Sequence, residues 1–104
     1  DTSDGSIKYL RAETVGIGML DTMPSVEISS IKIKNPSKIF CYTDGLSEIK
    51  DDSGRDIGTK PIEKHIANTD TVDKNISALI KELGIPDDNP NLFDDVSLIA
   101  ANIY

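Results

Sequence analysis

The most regular pattern in the sequence predicts a helix over residues 71–83. Apolar residues recur there every three or four positions, Thr71 stands where a helix cap is expected, and Gly84 follows the last turn. The apolar stripe consists of Val72, Ile76, Leu79, Ile80 and Leu83. Because only one stripe is apolar, we expect this helix to pack one face on a core and to have a structural role.

Two apolar runs predict strands. Residues 38–43 are apolar on both faces, which is typical of a strand covered on each side, so we expect them to form the most buried element. Residues 96–103 form the second run, which lies close to the end of the sequence. Both runs have the length and composition of short strands.

Weaker patterns precede these runs. Residues 26–33 alternate between apolar and polar positions with a slip of one residue, which predicts a half-exposed strand with a bulge. Asp4 and Gly5 form a turn signal, and residues 7–10 after them alternate like a short strand.

Short helices and a loop are predicted between the two runs. Residues 46–49 favour one turn of helix, and residues 51–56 favour a solvated polar loop. Pro61 in a first turn, with Thr59 as a cap, predicts a second short helix, which carries His65 as a surface or boundary residue. Strands and helices together predict an α+β class.

The composition indicates one modest domain. The chain has 104 residues, 38% of them hydrophobic, and no tryptophan. Its net charge of −7 argues against nucleic acid and anionic membranes as partners, because both are bound through clustered Lys and Arg. No apolar stretch reaches the roughly 18 residues needed to cross a bilayer. The single cysteine, Cys41, is expected to be a reduced thiol, which favours a cytoplasmic location.

Two acidic segments adjoin the predicted strands. Asp44 and Gly45 close the first apolar run, and Asp94 and Asp95 open the last one. If the runs are neighbouring antiparallel strands, the end of the first lies beside the start of the second, and the carboxylates share one sheet edge. Clustered carboxylates repel one another unless a cation lies between them, and oxygen donors suit a hard divalent ion. The sequence therefore predicts a metal site at this edge.

At these residues the chain resembles the metal-dependent protein phosphatases of the 2C type (PPM), specifically the bacterial branch of stage II sporulation protein E. The resemblance lies in short segments that follow the family's order at family-like separations. They are DGSI at 4–7, GIGML at 16–20, YTDGLSE at 42–48, DIG at 56–58 and DDVSL at 94–98. Each segment alone is weak, whereas the ordered set is fairly specific.

The resemblance implies that residues 1–104 are a single partial domain, the C-terminal half of a PPM-type β-sandwich flanked by helices, with mostly antiparallel strands. In this family two manganese or magnesium ions activate a bridging water, which attacks a phosphoserine or phosphothreonine of a protein. By the resemblance, Asp44 and Asp94 would be metal ligands. Asp95 would lie in the neighbouring position, and the backbone of Gly45 would lie near the metal.

The resemblance also implies a role in bacterial signalling. The partner would be a phosphoprotein, and many relatives act on small anti-sigma antagonist proteins. The family's other metal-binding aspartates have no counterpart in this sequence, and two carboxylates do not build a two-metal site. We therefore expect a preceding segment to supply the other ligands, and the isolated chain to be inactive. The alternative is a non-catalytic PPM-like module with a binding or regulatory role, and the presence or absence of aspartates upstream distinguishes the two.

Half of a two-sheet sandwich has unpaired strand edges and an uncovered apolar face. Soluble proteins avoid both features, because they promote pairing with other chains. We therefore expect either that the other half covers them in a longer protein, or that the isolated chain forms a homodimer or exchanges strands.

Overall fold

The described part of the chain contains a two-stranded sheet and three helices. The computed structural model describes residues 1–11, 18–22, 25–26, 28–85 and 94–104. In chain order the elements are β1 (Ser37–Tyr42), α1 (Asp44–Ser47), α2 (Lys60–Ile66), α3 (Val72–Leu83) and β2 (Leu98–Ile103). This arrangement confirms the predicted α+β class. Within these residues, no helix combines the length and the apolar character that spanning a bilayer requires.

β1 and β2 are antiparallel neighbours, as the sequence predicts. Their register runs from Tyr42 opposite Leu98 to Ser37 opposite Ile103. The end of β1 therefore lies beside the start of β2. The segment that follows β1 and the segment that precedes β2 meet at the same end of the sheet.

The prediction that residues 38–43 form the most buried element is wrong. β1 is half-buried along most of its length, and Cys41 is exposed. The core packs on the face that carries Tyr42 and Leu98, whereas Ile99 on the opposite face is 73% exposed. A strand with apolar residues on both faces can be buried on both sides. The described elements, however, cover only one face of β1.

The core is formed by the helices and the turn after α1 rather than by the sheet. Its buried apolar residues are Leu46, Ile49, Ile62, Leu79 and Leu83. Leu46 and Leu79 are each 1% exposed, and burying such a leucine contributes about 1.5–3 kcal/mol. Tyr42, Val96 and Leu98 pack against this cluster. The core therefore holds the end of the sheet where the two acidic segments lie.

α3 has the ends that the sequence predicts. The side chain of Thr71 accepts a hydrogen bond from the N–H of Lys74 at 3.4 Å. Gly84 ends the helix at φ 67°, in the left-handed region that favours glycine. Leu79 of the predicted stripe is buried, but so is Asn75, which is only 2% exposed.

A polar network explains the burial of Asn75. The ammonium of Lys38 donates to the carbonyl oxygen and to Oδ1 of Asn68, at 2.8 and 3.0 Å, and to Oδ1 of Asn75 at 2.8 Å. Nδ2 of Asn75 donates to Oδ1 of Asn68 at 2.8 Å. Burial lowers the pKa of Lys38, although the charge of Asp70 opposes the shift. The network joins β1 to α3 through the loop between α2 and α3.

The segments before β1 contain the predicted turn but not the predicted strands. The N–H of Gly5 donates to the carbonyl oxygen of Asp1 at 3.0 Å, and Gly5 has φ 74°. Residues 7–10, 26 and 28–33 have no regular secondary structure. The strand predictions for them are wrong, because a strand needs a hydrogen-bonded neighbour and alternation alone supplies none. Positions 16, 17 and 27 of the predicted segments lie outside the described residues.

The short helices differ from their predictions in detail. α1 begins at Asp44, earlier than the predicted residues 46–49. α2 begins after Thr59 as predicted, but the Thr59 side chain makes no capping hydrogen bond. His65 lies at the boundary of the core, with its side chain 16% exposed, and it pairs with Glu82 of α3. This pair joins α2 to α3.

Candidate functional site

Gly45 brings the two acidic segments into contact. It is buried at the start of α1, and its backbone lies against the backbone of Asp94 and Asp95. A Cβ atom at position 45 would lie 2.3 Å from the carbonyl oxygen of Asp95. Real Cβ atoms essentially never approach a backbone oxygen so closely, so this contact requires glycine. The aspartate-glycine turn and the paired aspartates, which are far apart in sequence, are thus in contact.

Thr43 fixes the same junction from the other side. Its N–H donates to the carbonyl oxygen of Ser97 at 3.1 Å, and its Oγ1 accepts from the N–H of Ser97 at 3.0 Å. The Thr43 hydroxyl also lies 3.4 Å from the carbonyl oxygen of Asp95, to which it donates. These bonds extend the pairing beyond the ends of β1 and β2 and set the spacing of the two acidic segments.

The carboxylates at this junction are accessible. Asp44 is exposed in the first turn of α1, and Asp94 and Asp95 are exposed ahead of β2. Oδ1 of Asp94 accepts a hydrogen bond from the N–H of Asp95 at 2.8 Å, which orients the Asp94 carboxylate. The predicted site residues therefore lie at one end of the sheet. Their role as metal ligands stays a prediction.

An open cleft of about 350 Å³ adjoins this junction. Its described lining residues are Gly45, Glu48, Lys50, Asp56 and Asp94. The sequence does not predict three of them as site residues. Glu48 is the last residue of the segment at 42–48, Asp56 belongs to the predicted polar loop and begins the segment at 56–58, and no pattern marks Lys50.

A tight hairpin forms the wall of the cleft that carries Lys50 and Asp56. These two residues form an antiparallel bridge, and the N–H of Ile57 donates to the carbonyl oxygen of Ile49 at 2.8 Å. Ile49 is 3% exposed, so the base of the hairpin is anchored in the core. At the tip, Oδ1 of Asp51 accepts from the N–H groups of residues 53 and 55, at 2.9 and 3.0 Å. The wall therefore has a defined backbone, although the sequence predicts only a polar loop.

The cleft is acidic with one basic side chain among its described lining residues. The ammonium of Lys50 donates to Oδ1 of Asp56 in an ion pair. This hydrogen bond raises the pKa of Lys50, so its charge is retained at neutral pH. Glu48 and Asp94 also line the cleft, and neither forms an ion pair with another described residue.

The atoms at the junction that could donate electron pairs to a metal ion are all oxygens. Carboxylate oxygens of Asp44 and Asp94 and the backbone oxygen of Asp95 suit a hard cation such as Mg²⁺ or Mn²⁺. Across the described ranges, however, no group of three or more His, Cys, Asp and Glu side chains is arranged to hold an ion. The oxygen donors present suit such an ion, but the described residues do not form a complete metal site.

Comparison with models of protein families identifies the family to which the chain belongs. A family model described as Stage II sporulation protein E matches residues 1–104. The chain belongs to the stage II sporulation protein E family. The match includes both acidic segments and the hairpin, and membership of this family implies a function related to the PPM phosphatases. Comparisons with curated proteins and with solved structures gave no match.

Proposed function

We propose that the chain is the C-terminal part of a metal-dependent protein serine/threonine phosphatase domain. The observation that supports this proposal is the packing of Gly45 on the carbonyl oxygen of Asp95. This contact joins the turn that carries Asp44 to the segment that carries Asp94 and Asp95, and Gly45 and Asp94 line the same cleft. Membership of the stage II sporulation protein E family supports the same assignment.

In this proposal Asp44 and Asp94 each supply carboxylate oxygens to manganese or magnesium, and Asp95 lies in the neighbouring position. Aspartates of a preceding segment supply the remaining ligands, because two carboxylates do not complete a two-metal site. When bound, the ions lower the pKa of a water molecule and neutralise part of the phosphoryl charge.

The residues of this chain prepare the site for that chemistry. Gly45 allows the turn after β1 to approach Asp95 without a side chain between them. The N–H of Asp95 orients the Asp94 carboxylate, and the reciprocal bonds of Thr43 and Ser97 fix the distance between the two segments. Carboxylates held in place by neighbouring donors lose less freedom when they bind an ion.

The proposed substrate is a phosphoserine or phosphothreonine in a bacterial signalling protein of the cytoplasm. A small anti-sigma antagonist protein is the partner that the family resemblance favours. The cleft is open, which suits a residue presented on the surface of another protein.

The test compares the isolated chain with a longer natural protein that contains it and its preceding segment. We expect manganese-dependent hydrolysis of a phosphoserine peptide by the longer protein and no turnover by the isolated 104 residues. Asp44→Asn and Asp94→Asn should each lower kcat/KM by more than about 100-fold, because removal of a ligand is at least as damaging as removal of its supporting partner. The matched control is Asp52→Asn, which removes an exposed carboxylate at the hairpin tip. Equal activity of Asp44→Asn and the control would contradict the proposal.

A second candidate is a non-catalytic PPM-like module that binds a partner or regulates it. The observation that favours it is that, within the residues that the structure describes, no group of three or more His, Cys, Asp and Glu side chains is arranged to hold a metal ion. Calorimetric titration of the longer protein with manganese separates the two candidates. A phosphatase domain binds the ion through Asp44, whereas the module shows no binding that Asp44→Asn removes.

A further inference from the structure

The cleft beside the acidic junction presents one cation among its described lining residues, Lys50. An ammonium group has three donor hydrogens. Among the described residues, Lys50 donates one of them to Asp56, and its side chain is 37% exposed toward the cleft and solvent. Lys38 provides a contrast, because its ammonium donates to three acceptor atoms of Asn68 and Asn75. Unlike Lys38, Lys50 therefore retains donors for a ligand at the cleft.

The backbone holds Lys50 in a defined position at the cleft. Its bridge to Asp56 and the bond from Ile57 to Ile49 close the hairpin, and Ile49 anchors it in the core. The ion pair restrains the ammonium beside the cleft, which Asp94 also lines. An exposed ion pair of this kind contributes little to folding stability, so stability alone gives a weak reason for its presence.

The charge of the lining indicates what Lys50 would bind. Glu48, Asp56 and Asp94 repel an anion, and Lys50 is partly neutralised by its pairing with Asp56. An anion enters only when the carboxylates of the junction are neutralised by a cation, as the proposed function requires. Under that condition Lys50 is a fixed positive charge beside the reacting group, and lysine binds phosphoryl oxygens as a point charge.

We propose that Lys50 binds a phosphoryl oxygen of the phosphoprotein substrate and that Asp56 is the positioning residue that holds the Lys50 ammonium at the cleft. This inference rests on the proposed phosphatase function and assigns a further substrate-binding residue to the same site. It also predicts that inorganic phosphate, the product, is held by the same ammonium.

The experiment uses the longer natural protein with manganese and two readouts. Calorimetry measures the Kd of inorganic phosphate, and steady-state kinetics measure KM and kcat for a phosphoserine peptide. We expect Lys50→Gln to raise both Kd and KM by about 10-fold, which is the loss of one charge-assisted hydrogen bond. Lys50→Arg should restore both to within about threefold of the unsubstituted protein, because it keeps the charge and a donor. Asp56→Asn should raise Kd by a smaller factor with little change in thermal midpoint.

The matched control is Lys74→Gln, which removes an exposed positive charge on α3, outside the cleft lining. Turnover by the unsubstituted protein with an unchanged Kd in Lys50→Gln would overturn this inference and leave the phosphatase function standing. A loss of the same size in Lys50→Arg or in Lys74→Gln would also overturn it. If the unsubstituted protein neither turns over the peptide nor binds phosphate, the proposed function fails and the inference fails with it.

Discussion

The backbone of Gly45 lies against the carbonyl group of Asp95, so closely that a Cβ atom at position 45 would be 2.3 Å from the Asp95 oxygen. The φ of Gly45 is not in the left-handed region. Glycine is therefore required by the close approach of another segment rather than by the local backbone conformation. This one contact joins the turn after β1 to the residues that precede β2.

The first prediction concerns this contact. We expect Gly45→Ala to lower the free energy of unfolding by about 3 kcal/mol or more, because the added methyl group collides with a backbone atom that has no flexible end to move. Gly54→Ala is the matched control, since its Cβ would meet nothing within 4 Å but its φ is 78°. Gly54→Ala should lower the free energy of unfolding by only about 1 kcal/mol, because of backbone strain. Urea denaturation measures the free energy of unfolding of both variants. If Gly45→Ala lowers it no more than the control does, the close contact between Gly45 and Asp95 is contradicted.

The second prediction concerns the buried network around Asn75. Asn75→Ala should destabilise the protein by about 2–3 kcal/mol, because it removes the acceptor of one Lys38 donor and one of the hydrogen bonds to Oδ1 of Asn68 in a part-buried network. Asn35→Ala is the control, as Asn35 is exposed and its side chain donates to Asp1 near the chain start. We expect a change within about 0.5 kcal/mol for the control in the same denaturation experiment. Equal effects of the two substitutions would show that the network does not support the fold.

The third prediction concerns the pH dependence of the contact between α2 and α3. The hydrogen bond from His65, followed by the contributions of Lys64, lowers the pKa of Glu82 from its ordinary value of 4.5. A carboxyl whose pKa is lower in the folded state contributes stability above its unfolded pKa and loses that contribution as the pH falls through the folded pKa. The difference in unfolding free energy between the unsubstituted protein and Glu82→Gln should thus shrink as the pH falls below about 4.5.

Denaturation curves between pH 3 and pH 7 measure this difference, with His65→Gln as a companion variant. Because His65 gives the largest contribution to the shift, its substitution should remove most of the pH dependence assigned to Glu82. The effect is small in absolute size, since the Glu82 side chain is 39% exposed and water screens the pair. A difference that stays the same down to pH 3 would disprove the linkage.

The fourth prediction concerns association of the isolated chain. The outer face of the sheet carries Cys41 and Ile99, both exposed, and Ile99 is 73% accessible. We propose that the isolated chain pairs through this face or through the strand edges and forms a homodimer at high concentration. Ile99→Lys should shift the chain to monomer in sedimentation equilibrium. Ile28→Lys, which adds the same charge at a residue that is 93% exposed and outside the sheet, should leave the association constant unchanged. A stable monomer of the unsubstituted chain would count against this proposal.

The sequence by itself determined the elements whose signals are local. The Thr71 cap, the apolar stripe and Gly84 define α3, because capping and helical periodicity involve residues within a few positions of one another. Two apolar runs predicted that β1 pairs with β2, and that the segment after β1 therefore lies beside the segment before β2, where Gly45 contacts Asp94 and Asp95. Antiparallel geometry fixes which ends are adjacent once the strands are assigned.

Only the tertiary structure decided which residues are buried and what forms the cleft. β1 is half-buried although its sequence is apolar on both faces, and residues 28–33 alternate without forming a strand. Likewise, no local sequence pattern indicated that Lys50 lies at the cleft or that Asn75 is buried. Burial and strand formation depend on which distant segments supply a covering surface or a hydrogen-bonded partner, and a residue's sequence neighbours do not contain that information.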